Sequence, residues 1–172
     1  MAAIYVRSGA GGANAGTSWG NAYTSLASAY GAATTDTIYV AHDHAQVSGA
    51  ASITYDFTNG TIAVPIPIIC VDDTANYAST SHAVPTTLAT GATFTINTAG
   101  AYSQIFGDGC ASWYGCTFVT YAGAQNSLLS FSVSPTVPTY LLFDTCTFTH
   151  SATGAAAIIS IGHSANEEDS IT

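Results

Sequence analysis

The residues of this chain with the widest chemical repertoire lie together in His42-Asp43-His44. On an extended strand the two imidazoles would share one side, and a third ligand from His82, His150 or His163 would complete a zinc site. Nothing else has metal-ligand spacing, so the preferred reading is two solvated histidines on an exposed strand, and no metal is expected. The one adjacent carboxylate pair is Asp72-Asp73. Glycoside hydrolysis needs two carboxyl groups converging on one bond, whereas neighbours on a strand face opposite ways. Placed after Cys70-Val71 and before Thr74 and Asn76, the pair has the composition of a turn closed by Asx-type hydrogen bonds. Asp108 and Asp144, beside glycine or threonine just ahead of strand candidates, read the same way. No catalytic residue is assigned and no cofactor is implied. The expectation is a protein that is not an enzyme, with a polysaccharide-degrading activity as the alternative.

Flat aromatic faces stack on sugars, and the chain carries ten tyrosines and two tryptophans. Trp19, Tyr23 and Tyr30 are spaced to pack a helix, and Trp113-Tyr114 precedes a core strand. Tyr77, Tyr102 and Tyr121, near turns, are the better candidates for an exposed role. Contact with a carbohydrate stays open, with no residue assigned to it. Cys70, Cys110, Cys116 and Cys146 show neither a Cys-x-x-Cys pair nor a dense disulfide spacing, which predicts four free, buried thiols. The sequon Asn59-Gly60-Thr61 matters only on a secretory route.

The net charge is −9, from ten acidic residues against one basic residue, Arg7. Phosphate backbones are bound by clusters of lysine and arginine, so nucleic acid is excluded as a partner, and an anionic membrane surface by the same argument. Charged residues form 6% of the chain, far below the roughly 25% of ordinary globular domains. Solvated faces must instead be built from hydroxyls and small side chains, which favours threonine-rich strands over helices. Met1-Ala2-Ala3 runs straight into Ile4-Tyr5-Val6 without the basic and apolar regions of a signal peptide, so synthesis and folding in a cytosol are expected. The longest apolar stretch, from Ile62 to Val71, is interrupted by Pro65 and Pro67 and is far short of a membrane span.

The elements that must position these residues divide the chain into an entry segment over 1–36 and a strand-rich remainder over 37–172, one structural domain overall. Ile4-Tyr5-Val6 reads as a short strand, followed by a loop with glycine at 9, 11, 12 and 16. Ser18 is an N-cap candidate for a helix whose apolar face is Trp19, Ala22, Tyr23, Leu26, Ala29 and Tyr30, with Gly31 able to end it. Thr37-Ile38-Tyr39-Val40 reads as a β-branched strand. Beyond residue 60 the candidates are Ile62-Ala-Val, Ile68-Ile-Cys-Val, Ala92-Thr-Phe-Thr-Ile, Gly115-Cys-Thr-Phe-Val, Leu128-Leu-Ser-Phe, Tyr140-Leu-Leu-Phe, Cys146-Thr-Phe-Thr and Ile158-Ile-Ser-Ile.

An internal repeat runs through them. Gly115-Cys116-Thr117-Phe118 recurs as Thr145-Cys146-Thr147-Phe148, and the same spacing carries Leu128-Leu129-Ser130-Phe131 onto Ile158-Ile159-Ser160-Ile161. Two matches at one period point to a repeat architecture, and several strands per repeat without a helix point to a right-handed parallel β-helix, an all-β solenoid with a short N-terminal capping α-helix. Cys116 would then stack on Cys146, and Phe118 on a core Phe148. A β-sandwich also shows many short strands, but has no reason to repeat its core residues.

Ile4-Tyr5-Val6, the glycine loop, Ser18-Trp19, the helix through Leu26 and Asp36-Thr37-Ile38-Tyr39-Val40 together resemble the entry of pectate-lyase-like right-handed β-helix proteins. His44-Ala45 and Ile69-Cys70-Val71-Asp72-Asp73 extend the likeness to uncharacterised β-helix virion proteins of tailed bacteriophages. The family's lyases abstract a proton with a basic residue, and Arg7, on the entry strand or its loop, is the sole arginine, with no lysine to replace it. What the resemblance implies is a structural virion part, a capsid decoration or a tail fibre or spike segment, folded in the host cytoplasm. Its expected partners are sister subunits in a homotrimer and other virion proteins, with a host surface glycan as a further candidate. A carbohydrate-binding or depolymerising host-recognition module and a secreted adhesin lacking its leader are the alternatives. After Ile161 no second amphipathic helix appears, so that end is expected to be closed by further chain, sister copies or another virion protein.

Overall fold

A computed structural model of the chain describes residues 2–32, 36–49, 51–81, 84–97, 104–122, 129–131, 139–152 and 159–161. Its elements in chain order are β1 (Ala3–Val6), α1 (Leu26–Ala32), β2 (Thr37–Ala41), β3 (Ala45–Ser48), β4 (Ile53–Phe57) and β5 (Ile66–Val71). A 3-10 turn (Thr74–Asn76) comes next, then β6 (Ala92–Asn97), β7 (Gln104–Tyr114), β8 (Cys116–Ala122), β9 (Leu129–Phe131), β10 (Tyr140–Asp144), β11 (Thr147–Ala152) and β12 (Ile159–Ile161). Among the described residues the chain is all-β apart from one short α-helix, and each pairing between these strands is parallel.

One sheet runs β3-β6-β8-β11. In the other, β1-β2-β5 continues into the second half of β7, which also pairs with β10, while the first half of β7 pairs with β4 and β9, and β9 with β12. The repeat read from the sequence is present in the register: Thr117 lies opposite Thr147, Phe118 opposite Phe148 and Leu129 opposite Ile159. Ile38 opposite Ile68, and Cys110 opposite Tyr140, have the same spacing. It is not uniform, since Cys116 pairs with Ala92 and Trp113 with Ile68.

Parallel pairing in register sets like on like. The rings of Phe94, Phe118 and Phe148 stack with centroids 5.6 and 5.1 Å apart, and Trp113 stacks on Phe143 at 6.2 Å. Tyr55 of β4 and Phe106 of the first half of β7 join them, so both sheets share one core. Each fully buried side chain of this size contributes about 1.5–3 kcal/mol. Phe148, expected in the core, is 37% exposed and contributes less.

The repeat also requires a backbone feature. Gly115 has φ +72°, and its counterpart one repeat later, Thr145, has φ +54°. A Cβ at Gly115 would collide with the Ala89 carbonyl oxygen, so glycine is needed there for space as well as conformation. Thr145 adopts the same left-handed region with a β-branched side chain, which is strained.

Several expectations need correction. The helix starts at Leu26, not at Trp19, and Gly31 lies inside it. Residues 19–25 are held in turns by distant partners: Trp19 Nε1 donates to Asp73 Oδ2 at 2.6 Å, and Tyr23 exchanges backbone hydrogen bonds with Tyr5 and Arg7 at 2.9 and 2.8 Å. The Leu26 N–H donates to Gln46 Oε1 at 2.9 Å, while Ser18 accepts only the Asn21 N–H at 3.4 Å. Ile62 to Val64 is no strand but a tight turn closed by two hydrogen bonds between Thr61 and Val64 at 3.0 Å, leaving Ile62 and Val64 exposed. Asp108 is not in a turn ahead of a strand but within β7, beside Gly109, while Trp113-Tyr114, as expected, directly precedes a core strand, closing β7 just ahead of β8. The four cysteines are free. Leu128, Ile158 and the segment after Ile161 lie outside the described residues.

Candidate functional site

Parallel strands carry a consequence for chemistry: their carboxyl ends lie side by side. Val6 pairs with Val40 and Ala41 with Val71, so the residues that leave β1, β2 and β5 emerge together. Those residues are Arg7, His42-Asp43 and Asp72-Asp73, which gathers much of the chain's ionisable chemistry at one place. Arg7, His42 and Asp43, with the glycine loop, Asn21, Thr74, Tyr77, Ala78 and Thr80, surround a cleft of ≈ 680 Å³, and Asp72-Asp73 lie behind that lining.

Arg7 is its centre. Its Nη2 donates to Asp43 Oδ2 at 2.7 Å, and its Nε lies 3.0 and 3.1 Å from the two Asp43 oxygens. The guanidinium also lies over the Tyr77 ring, 4.3 Å from its centroid. The hydrogen bond to Asp43 raises the Arg7 pKa further. Tyr77 is buried, and that burial pushes its phenol up to about 12, so it is protonated at neutral pH. Its Oη accepts the His42 backbone N–H at 3.2 Å and lies 2.9 Å from His42 Nδ1, which is 3.4 Å from Asp72 Oδ1.

Asp72 and Asp73 form the turn that their neighbours suggested. Asp72 Oδ1 accepts the Thr74 hydroxyl at 2.6 Å and its N–H at 3.1 Å, which hold this carboxylate below its ordinary pKa. Asp73 Oδ1 accepts Asn76 Nδ2 at 2.6 Å. The pair is therefore occupied by Thr74 and Asn76 of its own turn and by Trp19, not by convergence on a shared bond.

Two expectations about side chains are overturned. His42-Asp43-His44 is not an extended strand; His42 and Asp43 make a turn in which the His44 N–H donates to the Ala41 carbonyl at 2.9 Å. The two imidazoles consequently part, His42 toward the cleft and His44 into the core, where it is 1% exposed and 5.3 Å from the Phe94 ring. Neither ring nitrogen of His44 has a hydrogen-bond partner, and burial pulls its pKa down to about 4, against the opposing influence of Gln46 and Asp43. Tyr77, expected to be exposed, lies under Arg7 with Trp19 5.1 Å from its ring. Tyr5, Ala22, Ala41 and Val71 join them in a second apolar cluster on the far side of the sheet from the main core.

Among the described residues no three histidines, cysteines or carboxylates are grouped to hold a metal ion, and no helix is long and apolar enough to cross a membrane. His82, Tyr102 and His163, and the side chains of Tyr121 and His150, lie outside them. The sequence did carry a signal for the cleft, a polar or charged residue directly after each of three apolar strands. Reading it required knowing that those strands pair in parallel. No family model matches the chain, and no curated protein or solved structure matches it either.

Proposed function

We propose that this chain is a non-enzymatic structural component of a bacteriophage virion, a capsid decoration or a tail fibre or spike segment. In this reading its parallel strands wind as a right-handed β-helix with α1 laid over the first turn. The observation that carries the proposal is the register, in which Thr117, Phe118 and Leu129 each lie opposite their counterpart one repeat later. Stacking of equivalent residues at strand spacing makes a stiff rod whose length grows by repetition, a construction suited to a spacer or fibre. The Arg7–Asp43 pair supports the absence of a lyase role, because the sole arginine is committed to a carboxylate. Exposed Tyr140, Leu142 and Phe148 on the β10 and β11 edge offer apolar surface to sister subunits, in a homotrimer, or to other virion proteins.

Two experiments test the reading. Mass spectrometry of purified particles from the phage that encodes the chain is expected to find its peptides in fixed proportion to the capsid or tail proteins. Particles without it overturn the virion assignment. Sedimentation of the isolated chain is expected to show association as concentration rises, and a monomer at every concentration removes the case for an assembly component.

A further inference from the structure

We propose that the cleft at the carboxyl ends of β1, β2 and β5 is a binding site for a neutral, hydroxyl-rich saccharide. The inference stands on the cleft alone and does not depend on the virion reading. At ≈ 680 Å³ the space is of small-ligand size, within the roughly 300–1,000 Å³ usual for such sites. Its walls mix polar side chains with glycine and alanine, and part of the polar groups' hydrogen-bonding capacity is unused. Arg7 Nη1, His42 Nε2, Asn21 Nδ2 and the Thr80 hydroxyl belong to residues lining the cleft, and these atoms have no partner among the described residues.

Charge selects the ligand class. The guanidinium is compensated by Asp43 at 2.7 Å, and the chain as a whole carries −9, so an anion gains little here. A cation would have to sit beside Arg7. Neutral hydroxyl groups, which donate and accept, suit a mixed set of donors next to the free lone pairs of Asp43. The site is also held in shape before any ligand arrives: Arg7 is fixed through Nε and Nη2 to one carboxylate and by the Tyr77 face, so little side-chain entropy remains to be lost on binding. Room for a sugar ring is left by Gly11, where an added Cβ would meet nothing within 4 Å.

The test is retention of the full chain on an immobilised panel of neutral, N-acetylated and uronic-acid oligosaccharides, followed by titration calorimetry with the best neutral member. Gly11→Tyr fills the cleft at a position with open space, Thr80→Val removes one hydroxyl, and Gly49→Tyr adds the same bulk at another open position outside the cleft. Binding of a neutral saccharide that weakens at least tenfold in Gly11→Tyr, less in Thr80→Val and not in Gly49→Tyr is the expected result. Circular dichroism of each variant confirms that it is folded. No retention on the panel, retention of uronic-acid members only, or binding unchanged in Gly11→Tyr overturns the proposal. None of these outcomes bears on whether the chain is found in virions.

Discussion

Acidification should loosen this protein through one residue, His44. Its imidazole is 1% exposed, neither nitrogen is hydrogen-bonded, and its pKa is pulled down to about 4. In the unfolded chain the same group titrates near 6.5. The unfolded state therefore takes up the proton first, and stability falls as pH drops through the window from 6.5 to about 4. Above 6.5 both states hold a neutral ring and this contribution is flat. At roughly 1.4 kcal/mol per pH unit the full window is worth about 3 kcal/mol, a large part of the 5–15 kcal/mol that holds a typical domain folded. Urea unfolding followed by circular dichroism at pH 7.0, 6.0, 5.0 and 4.5 reads the loss, and His44→Leu, which cannot titrate, isolates it from the carboxylates. Wild type should lose about 2–3 kcal/mol more than His44→Leu between pH 7.0 and 4.5. Parallel losses in the two proteins would show that His44 is hydrated or paired, and would refute the buried neutral imidazole.

Three further outcomes follow from the geometry. Thr145→Gly should stabilise the fold by about 0.5–1 kcal/mol by relieving a β-branched residue at φ +54°, whereas Gly115→Ala should destabilise it because of the Ala89 carbonyl; thermal melts of both variants decide, and a stabilising Gly115→Ala would count against the described turn. Phe118→Ala, with the ring fully buried, should cost about 3–5 kcal/mol, and Phe148→Ala, with the ring 37% exposed, only about 1–2 kcal/mol; equal losses in urea titration would mean that Phe148 is covered. Thiol titration should find four reactive groups in denatured protein but slow reaction in the native state, with partly exposed Cys146 first, because burial both hides the other thiols and raises their pKa values; two or no free thiols after denaturation would contradict the unpaired cysteines.

The sequence by itself determined the local and the repeated features. Alternating β-branched and aromatic residues mark β2, β5, β8, β10 and β11, because a strand turns successive side chains to opposite faces. The recurrence of Cys-Thr-Phe fixed which of them stand opposite one another, since parallel strands in register bring equivalent positions together. Asp72-Asp73 could be read as a turn because its hydrogen bonds close within four residues. The polar, lysine-free surface followed from composition alone.

What tertiary structure decided are the features whose partners lie far apart in the chain. Helical spacing from Trp19 to Ser25 gave way because Trp19 finds Asp73, Tyr5 and Tyr77, and a buried indole with its N–H satisfied outweighs two turns of marginal helix. β7 runs through Gly107 and Gly109, residues that ordinarily end a strand, because the positive φ of Gly109 lets one strand bend and pair with different neighbours on either side. His42 and His44 were expected on one face and separated because a turn after Ala41 broke the alternation. The cleft needs Arg7 beside Asp43 and Tyr77, residues 36 and more positions apart. Their proximity depends on which strands pair, and a single sequence does not encode that pairing in any local pattern.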